Sequence, residues 1–395
     1  MTTGRLPRIA RKAGDPEQPT FLELFFDLVY IFAFRRLAHE LDTNYNAIGV
    51  LRTAVMLLAM WWIWELMVWL TDLFDPRRAQ IQVVVLVAMF GILVMALTVP
   101  TAFAHNGWVF VVVYFTIIFA RASVLIGGAR GYPSQQARSV RVAFWFGLTA
   151  VVWFAGAFVP DASIRLILWA LAVGVDYLAA SLGWPTPGLG RTHRESRIFI
   201  GVHVSERHRQ IFIIALGEVI LSNGLKFTST RFERDEWTTL VTAFAAVVLL
   251  FLIYARQSRR LLAPPALWSM DRVGPGIVTA YSHLMMVAGV VAISAGDAYV
   301  ARGPLGDLPV SEALAVVVGP ALVLFGTGLF ERAVSGVILW SRLIAIVLLF
   351  GILPWIEPLP ALAPAIWADL VLIGTFVSDL ATSRQSGRVR PAPSA

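Results

Sequence analysis

Twelve apolar runs, each about 20 residues long, follow one another along this chain with short polar breaks between them. They cover roughly 21–41, 47–73, 80–100, 108–127, 140–159, 163–183, 209–225, 237–255, 274–297, 312–330, 336–353 and 362–381. A helix rises 1.5 Å per residue, so about 20 apolar residues cross the hydrocarbon core of a bilayer. Turn-forming stretches separate many of the runs, among them FDPRR, GARGYPS, VPDAS, GWPTPGLG, RGPLGD and PWIEPLP. The run at 336–353 is short and follows ERAVSG directly. Only 14% of the 395 residues are charged and 58% are hydrophobic. A soluble domain carries about 25% charged residues, so a chain this apolar could not cover an aqueous surface. The expectation is an all-α polytopic membrane protein of about 12 transmembrane helices, with the lipid bilayer as its solvent.

The absence of cysteine excludes disulfides and thiolate metal sites. Six histidines leave little for a metal cage, and no cofactor or metal is expected. The net charge of +7 is carried mostly by arginine in short loops. That placement fits the excess of positive charge on the cytoplasmic side of membrane proteins better than one basic face for nucleic acid. With the N-terminus inside, Arg77, Arg78, Arg130, Arg138, Arg259 and Arg260 fall on the cytoplasmic side, and Arg165, Arg231 and Arg302 on the other. Both termini are then cytoplasmic. The basic start resembles a secretory leader in charge, but the run after it holds acids and arginines and no small-residue cleavage site follows. It reads as a retained cell-membrane protein.

An internal echo divides the chain. FFDLVYI, Phe25 to Ile31, lies over LGEVILS, Leu216 to Ser222, and this sets Asp27 on Glu218. The division is a basic tail (1–20), a first six-helix repeat (21–183), a cytoplasmic linker (184–208), a second six-helix repeat (209–382) and a tail (383–395).

The first run keeps several ionisable residues inside an otherwise apolar helix, among them Glu23, Asp27, Arg35, Arg36 and His39. A charge at the centre of a spanning helix costs about 2.5–3.5 kcal/mol on insertion scales. Such groups must face the bundle, pair, meet water or be neutral. Counted from the inner face at 1.5 Å per residue, Asp27, Glu65, Asp176, Glu218 and His283 all lie about 10–14 Å deep. Arg121 and Arg342 sit in the same half of their helices. Glu23 and Asp27 are one helical turn apart, with Tyr30 and Phe34 continuing the face. Two like charges at that spacing require protonation of one or an arginine between them, and depth nominates Arg121. For Asp27 and Glu218, register-fixing ion pairs and a proton or ion site are equally open. For Glu65 and Asp176 the structural reading leads. The aromatic stretch WWIWELMVW, which contains Trp62, reads as packing between helices or as the wall of a path.

Several motifs resemble those of the bacterial low temperature requirement A (LtrA) membrane proteins. LELFFDLVYIFAF, Leu22 to Phe34, resembles the family's opening motif, and WWIWELMVWLTDLFDP, which includes Asp72, continues it. HVSERHRQIFIIALGE resembles a second signature and carries His203, Glu206, Arg207 and Glu218. YSHLMMVAGVVAISAG resembles a third and carries Tyr281 and His283. Arg121 sits where the family carries an arginine. The resemblance spans about residues 20–380. It implies a multi-pass membrane protein and, through its name, growth in the cold, but no substrate. The chain departs from the usual ERFG at Glu206-Arg207-His208-Arg209, and Glu65 is not part of the family pattern. A Phe-x-Asp pattern on the first helix is also similar to the lysosomal potassium channel family, where that helix lines a pore.

The leading expectation is a transporter or channel for a proton, a small ion or a small solute. Asp27 and Glu218 would carry the charge, with Glu23 beside Asp27, Arg121 as counter-ion and His283 as relay. Tyr30, Trp62, Glu65, Asp72 and Asp176 would form a secondary lining, joined by His203, Glu206, Arg207 and Tyr281. Two other readings stay open: a lipid-acting membrane enzyme, and a non-transporting membrane protein that supports cold growth or membrane organisation. No HExxH, G-x-S-x-G, Walker A or dinucleotide fingerprint is present.

Overall fold

A computed structural model describes residues 18–128, 133–192, 202–227, 233–261, 275–357 and 359–388. Residues 1–17 and 389–395 of the tails, and the His- and Arg-rich stretch at 193–201, lie outside the described residues. Twelve α-helices occupy the described chain: α1 Phe21–Thr43, α2 Ala47–Leu73, α3 Ala79–Thr98, α4 Gly107–Gly128, α5 Pro133–Phe158, α6 Ala162–Leu182, α7 Val202–Lys226, α8 Arg234–Leu261, α9 Pro275–Arg302, α10 Val310–Ser335, α11 Trp340–Phe350 and α12 Leu362–Arg388. Among the described residues nine of these are long and apolar enough to cross a membrane. The other three are α1 and α7, which interrupt their apolar runs with charges, and α11.

Three elements differ from the sequence expectation, and the first, α5, begins at Pro133, seven residues before the expected 140. The helix expected over 336–353 contracts to the 11 residues of α11, about 16 Å at 1.5 Å per residue and too short to cross a bilayer core. Gly336, with φ 73°, ends α10 in the left-handed region, and Pro354 sits in the short 3-10 turn at 353–355 after α11. In contrast, α7 begins at Val202, within the stretch expected to be a linker. Its first turns are polar in sequence, yet His203, Arg207 and His208 are all buried. Charge pairing, and not apolar patterning, extends this helix.

The chain divides into two compact units, Met1–Ile214 with Met270–Ala280, and Ala215–Ser269 with Tyr281–Ala395. In the first unit α2 packs against α1, α3, α4 and α6. It is correspondingly buried: Trp61, Trp64, Met60 and Ile63 are at most 1% exposed. Arg165, near the start of α6, gathers loose backbone at one end of this unit. Its guanidinium donates to the carbonyls of Ala102, Ala104, Gly156 and Val159 at 2.8–3.1 Å, which satisfies acceptors that helix ends leave open. In the second unit α8, α10, α11 and α12 pack on one another. There α9 and α10 meet through glycines spaced by seven, Gly289 and Gly296 against Gly319 and Gly326. A Cβ on Gly289 would lie 2.6 Å from the Gly319 carbonyl oxygen, and one on Gly319 would lie 2.7 Å from the Ile293 backbone nitrogen. Small residues here let two backbones touch, a common device where packing must replace the hydrophobic effect in lipid.

Candidate functional site

The first unit concentrates its buried ionisable groups where α1, α2 and α7 meet. Thr20 precedes α1, and both its backbone N–H and its hydroxyl donate to Glu23 Oε2, at 2.7 and 2.9 Å. This capping interaction ties the acid to the first turn. The other oxygen, Oε1, faces α7: His203 Nε2 lies at 2.9 Å and an Nη of Arg207 at 3.1 Å. The other Nη of Arg207 donates to Asp27 Oδ1 at 2.5 Å. One guanidinium thus spans the two carboxylates that share a helix face. Glu23 and Asp27 are 0% exposed and Arg207 is 1% exposed.

Two further contacts define the ends of this cluster. Trp64 Nε1 donates to Asp27 Oδ1 at 2.9 Å, so the aromatic helix α2 also anchors the deepest acid. At the other end His203 Nδ1 lies 3.3 Å from Asp72 Oδ1, an ion-pair approach without the alignment of a hydrogen bond. The Asp72 side chain is 35% exposed. A series of ionisable groups therefore runs from a partly exposed acid, through an imidazole flanked by two carboxylates, to fully buried acids and an arginine. Tyr30 closes the face one turn beyond Asp27, its hydroxyl donating to the Met60 carbonyl at 3.0 Å.

A second pair lies beside the first. His208 Nδ1 faces the Val204 carbonyl at 2.9 Å, and His208 Nε2 faces Glu65 Oε1 at 2.8 Å. A carbonyl oxygen only accepts, so Nδ1 carries a proton. One more proton then sits between Nε2 and Glu65, on either the imidazole or the acid. The rings of Trp61 and Trp64 pack against the imidazole, with centroids 6.4 and 4.9 Å away.

The sequence nominated Arg121 as the arginine between Glu23 and Asp27. The structure places Arg207 there instead, and Arg121 Nε donates to the Leu66 carbonyl at 2.7 Å. Depth along a helix fixes height but not which helices are neighbours or which way a face turns. Asp176 accepts from the Thr149 hydroxyl at 2.9 Å, apart from these pairs. Trp62 packs in an aromatic group with Trp69, Phe146, Tyr177 and Trp184. Glu206 pairs with Arg209 on the outer side of the same helix.

Glu218, Tyr281 and His283 belong to the second unit. Glu218 is 0% exposed, and its Oε1 accepts from the hydroxyls of Ser222 and, at 3.1 Å, Ser294. His283 Nε2 meets the Tyr254 hydroxyl at 3.0 Å, and Tyr281 is half-buried on the same helix. Arg342 holds Asp379 through two contacts of 2.7 and 3.2 Å, a buried bidentate pair between α11 and α12.

Three participants escaped the sequence reading: Thr20, Trp64 as a hydrogen-bond donor, and His208. The T-x-x-E spacing of Thr20 and Glu23 is a visible capping signal. Nothing local distinguishes the Trp64 indole from its neighbours.

The profile of the family described as "Bacterial low temperature requirement A protein (LtrA)" matches residues 18–377. A protein of Rhizobium meliloti (strain 1021) named "Uncharacterized protein RA0937" is 30% identical over 355 residues, which cover 88% of this chain and 86% of the relative. No solved structure matches the chain. With buried-charge helices set among apolar ones and a family match along most of its length, this chain belongs to the bacterial low temperature requirement A family of membrane proteins.

Proposed function

We propose that this membrane protein moves protons, or a small ion or solute linked to protons, through its α1–α2–α7 charge cluster. One observation carries the reading: ionisable groups connect the partly exposed Asp72 to the fully buried Glu23 through the two nitrogens of one imidazole. An imidazole can take a proton at one nitrogen and release it at the other. Glu23 would receive it. A guanidinium does not give up its protons in proteins, so Arg207 cannot pass one on to Asp27. It acts as a latch. A proton on Glu23 neutralises the charge that holds one side of Arg207, and leaves the guanidinium with Asp27 alone. Movement of Arg207 then opens the space between the two acids to water or an ion.

The finer architecture of this proposal has two six-helix repeats in the cell membrane with both termini cytoplasmic, and α11 completes its crossing with the apolar turn that continues it to Trp355. The arginine bias of the loops and the alignment of Asp27 with Glu218 support it. In the second repeat Glu218, held by two serine hydroxyls, is the counterpart carboxylate.

The test is flux in proteoliposomes under an imposed pH gradient, with a panel of monovalent ions and an internal pH dye. Asp27→Asn keeps size and removes the charge that holds Arg207 once Glu23 is neutral. The expected outcome is flux in the natural protein and its loss in Asp27→Asn and in His203→Gln. Flux that survives both changes at every pH ends this reading.

A second reading has its own support. Glu23, Asp27 and Arg207 are all dry, as are Arg342 and its acid Asp379, and a buried clasp of this kind can simply fix helix register. On that reading the protein is a non-transporting membrane component. No flux would be seen in any variant, while Asp27→Asn would still alter stability.

A further inference from the structure

Arg121 is a buried cation without an acid. Its side chain is 6% exposed, and its one hydrogen bond among the described residues is the donation from Nε to the Leu66 carbonyl. Among the described residues no carboxylate lies within ion-pair range of it. A second guanidinium stands nearby. Arg138, close to the start of α5, lies over the Trp69 ring with its central carbon 5.5 Å from the ring centroid. Leu66 and Trp69 are three residues apart on α2, a rise of about 4.5 Å, so the two guanidinium groups dock on adjoining turns of one helix. The positive charge of Arg138 bears on Arg121. Asp72, a further three residues along α2, is the acid whose charge reaches Arg138, and it already faces His203. Of the two guanidinium groups only Arg138 is reached by an acid, one already engaged by His203, which leaves the place positive.

A buried charge with no partner is strongly unfavourable in a spanning helix. Arg121 lies seven residues before Gly128, the end of α4, which is about 10 Å along the helix. That brings a long side chain within reach of the interface, where lipid phosphates lie. Arg138 is half-buried and offers an approach from outside. Guanidinium groups present forked N–H donors that match the oxygens of a tetrahedral phosphate.

We propose that Arg121 and Arg138, backed by Leu66 and Trp69 of α2, bind a phosphate-type oxyanion. The assignment is independent of whether the protein transports anything. The bound group is a lipid phosphate or free inorganic phosphate, and the experiment separates them.

The full chain is reconstituted in nanodiscs of phosphatidylcholine, and in nanodiscs of phosphatidylcholine with phosphatidylglycerol. The thermal unfolding midpoint is followed in each. In the first, inorganic phosphate is titrated against chloride at equal ionic strength. Ligand that binds the folded state alone raises the midpoint in a saturable way. The expected result is such a rise with phosphatidylglycerol, with phosphate, or with both. A rise with phosphatidylglycerol alone identifies a lipid site, and a rise with phosphate identifies one open to free anion. Arg138→Gln weakens half-saturation about tenfold, the equivalent of one charge-assisted hydrogen bond. Arg121→Gln does the same or more, and the exposed Arg77→Gln leaves the rise in place. Arg138 is only half-buried, so Arg138→Gln decides the matter even if Arg121→Gln fails to fold. No rise in either arm overturns the site. So does a rise that Arg77→Gln removes as fully as Arg138→Gln.

Discussion

Arg207 is the most consequential single side chain in the first unit. Arg207→Gln removes the one cation that touches both Glu23 and Asp27. The two acids do not suffer equally. Glu23 keeps the Thr20 donors and His203. Asp27 keeps only the Trp64 indole, and its Oδ2 has no hydrogen-bond partner among the described residues. Breaking a buried ion pair from one side costs about 3–5 kcal/mol, because the remaining charge is stranded. Most of that loss belongs to Asp27. Asp27→Asn alone leaves Arg207 with Glu23 and costs less, about 1–2 kcal/mol. In the double variant the stranded charge is gone, so the two effects do not add. The expected coupling is about 2 kcal/mol. Glu23→Gln in the same background recovers much less, since Glu23 had other partners to fall back on.

Equilibrium unfolding of the full chain in mixed micelles, followed by circular dichroism, gives the four free energies of each cycle. An Arg207→Gln loss below about 1 kcal/mol, the range of exposed ion pairs, would show that the clasp is hydrated. Additivity of Arg207→Gln and Asp27→Asn would show that Asp27 does not depend on Arg207. Equal recovery by Glu23→Gln and Asp27→Asn would refute the unequal partnership derived from the hydrogen bonds.

Other changes have equally defined outcomes. Gly289→Ala places a methyl against the backbone of α10 and should lower stability by about 1–3 kcal/mol, read in the same unfolding assay. Glu65→Gln retains a donor for His208 Nε2 and should cost less than about 1 kcal/mol, whereas Glu65→Leu leaves that nitrogen unsatisfied and should cost about 1–3 kcal/mol. Gly183, with φ 82°, closes α6, and Gly183→Ala should cost about 1–2 kcal/mol, visible as a lower unfolding midpoint.

What the sequence makes legible is set by where the physics is local. Span length and turn residues are local, so the apolar helices α2, α3, α4 and α6 appear close to their expected ranges. The capping pair of Thr20 and Glu23 is local too. The fate of a buried charge is not, because it depends on which helix turns toward it. Asp27 on α1 could be recognised as costly in hydrocarbon, but its partner Arg207 lies 180 residues away in a polar turn that reads as a loop. Arg121 has a similar depth and the right charge, yet its guanidinium turns to the Leu66 carbonyl. The polar start of α7 was hidden for the same reason: its helical turns are favoured by acids on α1 and α2, and nothing within 202–208 announces them.

Two of the departures from the motifs that the chain resembles, Glu65 and His208, carry the most specific lesson, because they answer each other. Taken singly, a glutamate in the middle of the aromatic helix α2 and a histidine in place of the phenylalanine of ERFG each add a polar group to a dry region. Together they form the Glu65–His208 pair at 2.8 Å, enclosed by Trp61 and Trp64. A buried acid alone is costly, and so is a buried imidazole with one nitrogen unmet, whereas the joined pair meets both imidazole nitrogens and one oxygen of Glu65, its Oε2 having no hydrogen-bond partner among the described residues, and can be exchanged as a unit for apolar side chains. Hence His208→Phe alone should strand Glu65 and cost about 3–5 kcal/mol, while His208→Phe with Glu65→Leu should return close to the natural stability. If the double variant were as unstable as His208→Phe, the two departures would be unrelated substitutions that happen to touch. If it were restored and the Asp27 phenotype in liposomes were unchanged, the Glu65–His208 pair would be a packing solution private to this chain, with the ionic work left to Asp72, His203, Glu23, Arg207 and Asp27.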